Sequence, residues 1–169
     1  IVTITGINRT STNTTHTIDN NTIFNLSTTS TSTSGSLKGI VCTIGNGSLS
    51  GNTIRDFISA SPSTLTGVSA ALIGILYQSS TTGTHTISGN TIHSLTNNST
   101  SLTALSQISG LVFSASATTT IIYNIEKNNI HSLNVTAANP SARITGMDFQ
   151  AGVYNCRNNM VRLGLKPDG

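Results

Sequence analysis

Acid–base chemistry calls for carboxylates, and the chain has five, Asp19, Asp56, Glu126, Asp148 and Asp168. Glycoside hydrolysis needs two of them about 5 to 10 Å apart across a sugar ring. No two share a sequence context, so no catalytic pair is expected. The four histidines fall into two kinds. His93 and His131 each sit in an I-H-S-L run, and two imidazoles about 5 Å apart could hold a metal weakly, but no carboxylate or thiolate shares that context to complete a site. His16 and His85 lie in T-H-T runs. All four are expected as outward, half-exposed side chains. Enzyme activity is therefore not expected, and no cofactor or metal ligand is assigned.

The elements that must position these groups are written in the composition. Ser (24), Thr (29) and Asn (18) fill 71 of the 169 positions, while charged residues make up 8% and aromatics 4%. Long helices and coiled coils need Ala, Leu, Glu and Lys, which are scarce. Disorder is opposed by the abundance of Ile, Val and Thr. No apolar run approaches 18 residues, so membrane insertion is not expected. Lys38, Arg55, Lys127, Arg143 and Arg157 are scattered singly, and the net charge of +3 reflects few acids rather than a basic stripe. Nucleic-acid binding, which wants such a stripe, is not expected either.

Internal repeats decide the architecture. The pattern N-x-I-x-x-[LF] starts at Asn21, Asn52 and Asn90, and continues at Asn128 and Asn158. Before each copy stands an apolar-x-Gly-apolar marker at Gly6, Gly39, Gly74, Gly110 and Gly146, spaced by 33 to 36 residues. Each copy holds three short β-like pieces. Helical repeats of this length fail because no window carries an i, i+3, i+4, i+7 apolar stripe. Leucine-rich repeats fail for want of L-x-x-L-x-L. The pattern fits a parallel β-solenoid of about five coils, stacked about 4.8 Å apart. Asn21, Asn52, Asn90, Asn128 and Asn158 then form a structural side-chain amide ladder at one corner. Gly6, Gly39, Gly74, Gly110 and Gly146 are expected as turn glycines at another. Ile23, Ile54, Ile92, Ile130 and Met160 are expected as one inward column, and Ile40, Ile75, Leu111 and Met147 as a second.

The I-S-G-N-T-I run at Ile87 to Ile92 resembles the repeats of right-handed parallel β-helices, the pectate-lyase-like superfamily. The resemblance covers essentially the whole chain and implies an all-β, right-handed parallel β-helix. Enzymes on that fold group acids with Arg or Lys on one outer face, a grouping this chain does not offer. The Asn-rich style also resembles repeats of large bacterial surface proteins, including adhesins exported by the type IX route. That likeness implies an extracellular or cell-surface location.

Several finer expectations follow from the register. Cys42 and Cys156 fall three coils apart, roughly 14 Å, beyond disulfide reach, and are expected as buried free thiols. The Ser/Thr-rich stretches from Ser27 to Ser36, Ser59 to Thr66, Thr96 to Ser106 and Asn134 to Ser141 read as loops at one corner, either binding surface or filler. Outward Val41, Leu76 and Val112 form an apolar row, covered by the chain's own loops or by another molecule. A threonine array for ice binding is broken, since Thr15/Thr17 and Thr84/Thr86 are interrupted by Asn46/Ser48 and followed by Ile122/Asn124. Sequons at Asn13, Asn25, Asn46 and Asn134 are expected from composition alone. The function expected is a structural spacer, stalk or filament segment cut from a longer surface protein. Alternatives are a carbohydrate-binding or polysaccharide-degrading β-helix with its site elsewhere, and ice or surface binding. The expected partners are further coils at both ends, with other protein chains or a surface polysaccharide beyond them.

Overall fold

A computed structural model describes residues 2–11, 15–63, 65–115 and 120–164; Asn13 and Asp168 lie outside them. The first repeat supplies β1 (Thr3–Arg9), β2 (Thr15–Asp19), β3 (Thr22–Phe24) and the short β4 (Ser27–Thr28). The second supplies β5 (Ser36–Cys42), β6 (Asn46–Ser50) and β7 (Thr53–Ser59), and the third β8 (Leu72–Tyr77), β9 (Gly83–Ser88) and β10 (Thr91–Asn97). The fourth gives β11 (Gln107–Ser114), β12 (Ile121–Glu126) and β13 (Asn129–Val135), and the last β14 (Arg143–Ala151), β15 (Tyr154–Arg157) and β16 (Met160–Arg162). Corresponding strands stack in three wholly parallel sheets, β1-β5-β8-β11-β14, β2-β6-β9-β12-β15 and β3-β7-β10-β13-β16. The chain is an all-β parallel solenoid of about four turns, slightly fewer than the five coils expected.

Period-two alternation drives the winding. Ile7, Ile40, Ile75, Leu111 and Met147 pair in one column, and Cys42, Tyr77, Phe113 and Phe149 in the next. Ile23, Ile54, Ile92 and Ile130 face them from the third sheet. The three middle members of each Ile/Leu column are fully buried, and burying each such side chain contributes about 2 kcal/mol. The fifth member of the Ile23 column is Val161, not Met160. Val161 pairs with Ile130, while Met160 pairs with Asn129 and is 55% exposed.

The marker glycines do not turn the chain. Gly6, Gly39, Gly74, Gly110 and Gly146 lie inside strands of the first sheet, and none has positive φ. A Cβ on Gly74 would come 2.6 Å from Ile92 Cγ2, and one on Gly110 would come 2.7 Å from Ile130 Cγ2. Glycine is needed there because the isoleucine column of the opposite sheet fills the space a side chain would take. The turn is made instead by the residue before each ladder amide. Asn20, Gly51, Gly89, Lys127 and Asn158 all have φ between 54° and 65°. Two of the five are glycine and two are asparagine, the residues that adopt this conformation at least cost.

Candidate functional site

The corner after each second-sheet strand carries the amide ladder. Asn21 N–H and Nδ2 both donate to Asn52 Oδ1, each at 3.0 Å. Asn52 donates in the same way to Asn90, and Asn90 to Asn128. Asn128 donates to Asn159 at 3.1 and 2.9 Å. The fifth rung is thus Asn159, and Asn158 is the positive-φ residue before it. Each amide above the first also reaches back one rung. Nδ2 of Asn52, Asn90, Asn128 and Asn159 donates to the carbonyl of Ile18, Leu49, Ile87 and Ile125 respectively, at 2.7 to 2.9 Å. A buried polar corner in which every rung satisfies its neighbour adds stability without leaving unpaired groups.

A second buried polar group sits between the first and second sheets. His85, expected outward, is fully buried, and His16 is buried as well. Ile18, Leu49, Ile87 and Ile125 point inward, so residues two places earlier share their face. His16 pairs with Gly47, and His85 pairs with Tyr123. That parity was the signal available in the sequence. Tyr77 Oη lies 2.7 Å from His85 Nδ1, and His85 Nε2 lies 2.8 Å from the Thr81 carbonyl. A carbonyl only accepts, so Nε2 carries the proton and neutral Nδ1 accepts from Tyr77. Tyr123 Oη donates to the Ser79 carbonyl at 2.6 Å. Burial, aided by Tyr154, pushes the Tyr123 phenol up to about 12. The Cys42 thiol is pushed up to about 12, again by burial. Neither is poised as a nucleophile at neutral pH. The pKa of His85 is lowered by burial, with the bond to Thr81 opposing. His16 is lowered by burial first, then by Arg9 and His85, with Asp19 opposing. Both of its ring nitrogens are buried without a hydrogen-bond partner.

The other chemistry-bearing residues are placed apart. His93 and His131 stack with ring centroids 4.9 Å apart and planes within 5°. Each turns Nδ1 toward the hydroxyl of the serine after it, at 3.0 Å. Arg162 is the next member of their row. Asp19 accepts from Ser48 Oγ at 2.8 Å and from Ser50 N–H at 2.7 Å. Asp56 pairs with Arg55 next to it, and Glu126 with Arg157 at 3.9 Å on the surface. Among the described residues no group of three or more His, Cys, Asp or Glu could hold a metal. Cys42 is buried and Cys156 exposed, both as free thiols. Cys156 follows Ile125 in its column and is the last member of that column among the described residues.

The Ser/Thr-rich stretches are built rather than loose. Thr28, Ser30 and Ser32 hydroxyls accept the N–H two residues ahead, and Ser59, Ser99 and Ser101 do the same in later repeats. The S-x-S-x-S spelling supplies one such acceptor per bend. Ser61 Oγ donates to the Ser30 carbonyl and Asn97 Nδ2 to the Ser61 carbonyl, tying one loop to the next. Val68 and Ala70 lie over Val41, Leu76 and Val112, so the chain itself covers the apolar row. The same loop borders a cavity of about 280 Å³ lined by hydroxyls and by Lys38. Lys38 Nζ donates to the Val68 carbonyl at 3.4 Å, and its pKa is lowered by burial. No helix among the described residues is long and apolar enough to cross a membrane. Comparison with protein-family models, curated proteins and solved structures finds no match for this chain.

Proposed function

We propose that the chain is a structural segment, a spacer, stalk or filament coil, of an extracellular or cell-surface bacterial protein, with no catalysis of its own. The observation that carries this reading is the unbroken amide ladder from Asn21 to Asn159. A ladder that repeats one side chain on every rung gives a directional, stiff spine and no locus that differs from rung to rung. The likeness to pectate-lyase-like β-helices and to type IX adhesins supports the location, and further coils are the natural neighbours of such a segment. The test is removal of one repeat, residues 75–110, from the full-length protein displayed on cells. A spacer loses about one 4.8 Å rung of reach and keeps the protein's binding. Binding or turnover abolished by that deletion would sink the reading.

A second reading, carbohydrate binding, is favoured by the hydroxyl-lined cavity at Lys38. An ammonium among hydroxyls suits an acidic saccharide better than a neutral one. Titration of the chain with uronate oligosaccharides tests it, since binding lost in Lys38→Ala would support the cavity and absence of binding would end the idea.

A further inference from the structure

The three tyrosines of the chain, Tyr77, Tyr123 and Tyr154, share one aromatic stack, but their hydroxyls meet different partners. Tyr123 Oη donates to the Ser79 carbonyl at 2.6 Å, and Tyr154 Oη donates to the Ala151 carbonyl. A backbone carbonyl accepts a hydrogen bond but is too weak a base to take the proton away. Tyr77 Oη instead meets a base, His85 Nδ1, at 2.7 Å. His85 Nε2 donates to the Thr81 carbonyl at 2.8 Å, which fixes the tautomer and leaves the Nδ1 lone pair facing the phenol. Tyr77 and His85 are both fully buried, so bulk water does not reach that bond.

The repeat makes room for this pair. Cys42 stands below Tyr77 in its column, and Gly47 is level with His85 one coil down. The Tyr77 ring leans into the space these small residues leave. It comes within 6.2 Å of the His16 ring two coils below, where the coil spacing alone would set about 10 Å. The stack also continues upward. Tyr77 lies 6.2 Å from Tyr123, His85 lies 4.7 Å from Tyr123, and Tyr123 lies 5.2 Å from Tyr154, centroid to centroid. An electron can step between rings that close, whereas a proton moves only along a hydrogen bond to a base. All three tyrosines therefore share a route for an electron, and of the three Tyr77 also has a route for its proton. Burial raises the pKa of the Tyr77 phenol, so it keeps its proton until the electron leaves. Burial lowers that of His85, with the Thr81 bond opposing, so Nδ1 stays free to accept at neutral pH.

We propose that the Tyr77–His85 pair is a proton-coupled redox site that gives one electron to an oxygen-centred radical, such as a peroxyl radical, arriving at the protein surface. The electron leaves Tyr77 through the neighbouring rings. The peroxyl radical becomes a peroxide anion and takes a proton from water. The phenolic O–H bond of Tyr77 breaks, and its proton passes to His85 Nδ1. What remains is a neutral tyrosyl radical beside an imidazolium whose Nε2–H still bonds the Thr81 carbonyl. Burial keeps that radical from coupling with a second chain. This adds a chemical property to the structural reading and does not depend on it, since a spacer that traps no radical is still a spacer.

Flash oxidation of the whole chain by photogenerated ruthenium(III) tris-bipyridine tests the proposal, read by tyrosyl-radical absorption and electron spin resonance. The wild-type chain is expected to give a tyrosyl radical that forms more slowly in D2O than in H2O. Tyr77→Phe, which keeps the ring, is expected to lose most of the signal, and Tyr123→Phe to keep most of it. His85→Gln leaves the phenol an acceptor but no base, and is expected to slow radical formation about 100-fold. A purely structural hydrogen bond would survive that change with no effect on rate. Absence of a radical in the wild-type chain, under a flash that oxidises free tyrosine, overturns the proposal. So does a signal largely kept in Tyr77→Phe or largely lost in Tyr123→Phe, because it then belongs to another ring. An unchanged rate in His85→Gln overturns it as well. If circular dichroism shows that variant unfolded, the wild-type comparison decides, and equal rates in D2O and H2O overturn the proposal.

Discussion

Two buried columns with polar members run through this solenoid, one repeating a single residue and the other mixing His, Gly and Tyr. The first is Asn21, Asn52, Asn90, Asn128 and Asn159. The second runs through His16, Gly47, His85, Tyr123 and Tyr154; Gly47, one residue before the Ser48–Thr86 pair, falls level with His85. Where one residue repeats, each interface presents the same donors to the same acceptors, and no rung between the ends is left over. Where residues differ, satisfaction has to be found separately at each rung. His85, Tyr77 and Tyr123 find it in the Thr81 and Ser79 carbonyls of the connecting loop, while His16 does not. Periodicity is thus a way of burying polar groups cheaply, and its absence concentrates cost in one place.

The sharpest way to break the irregular column is at its glycine. Gly47 has φ 142°, and a Cβ there would fall on the His16 backbone carbonyl. Both the backbone conformation and the contact oppose any side chain. Gly47→Ala should lower unfolding free energy by about 4 kcal/mol or more, read by chemical denaturation. A loss below about 1 kcal/mol would mean that the rung relaxes freely and that His16 and His85 are not held apart by backbone.

Next in size is the regular column. Asn90→Ala removes the acceptor for Asn52 N–H and Nδ2 and the donor to the Leu49 carbonyl, in a fully buried position. Unpaired buried groups cost about 1 to 3 kcal/mol each, so a loss of about 3 kcal/mol is expected. Asn21→Ala should cost about 1 kcal/mol, since Asn21 is only part-buried and, among the described residues, its amide oxygen accepts from no other asparagine. Equal losses at the two positions would show that the amides act as single turn residues rather than as a ladder.

Much of this was legible in the sequence, and the exceptions have physical causes. Spacing of Gly and Asn markers gave three strands per repeat and the core of the first four coils. The last coil slipped by one residue because Asn158 and Asn159 are adjacent and either continues the pattern. Only the positive φ required before the ladder amide distinguishes them, and Asn158 takes it. Glycine's conformational freedom is the usual reason for its recurrence, and it predicts turns at the marker glycines. Here its lack of a side chain matters instead, making room for Ile54, Ile92 and Ile130. His16 and His85 are expected outward, although the alternation counted back from Ile18 and Ile87 puts both inside. The hydroxyl-to-N–H bends of the Ser/Thr loops depend on local backbone angles that composition does not encode.

Acid should sharpen the contrast between the columns. Burial holds the pKa of His16 and His85 below 6.5, so both stay neutral in the fold while the unfolded chain still takes up protons. Their contribution to stability is complete above about pH 6.5 and is lost as pH falls below it, by up to about 1.4 kcal/mol per pH unit for each histidine until the folded chain protonates too. His93, also lowered by burial and by His131, adds a smaller slope because it is partly exposed. His16→Leu removes two unpaired nitrogens and should raise stability at pH 7 by about 1 kcal/mol, besides flattening the acid slope. Denaturation midpoints across pH 5 to 8 read both effects. An unchanged slope in that variant would assign the acid sensitivity to His85 and His93 alone. The asparagine ladder does not titrate, so Asn90→Ala should shift the whole curve without changing its shape.

The smallest effect is expected at the solvent-facing end of the serine bends, which share the ladder's periodic logic. Ser101 Oγ accepts the Thr103 N–H at 3.4 Å and the Ala104 N–H at 3.0 Å. Ser101 itself is half-buried, and the Thr103 bond lies at an exposed position, so water can replace much of what the hydroxyl gives. Ser101→Ala should therefore cost about 0.5 kcal/mol, near the floor for surface substitutions. The corresponding change at Ser61, fully buried and donating to the Ser30 carbonyl at 2.8 Å, should cost about 1 to 2 kcal/mol. The two substitutions delete the same chemical group from corresponding loops, so their difference measures burial together with the inter-loop bond that Ser61 makes. If both cost the same, the loops are stabilised by backbone bends alone and the inter-loop bonds contribute nothing. If Ser61→Ala costs as much as Asn90→Ala, the loop stack is a second ladder, and the stiffness of the solenoid rests on two corners instead of one.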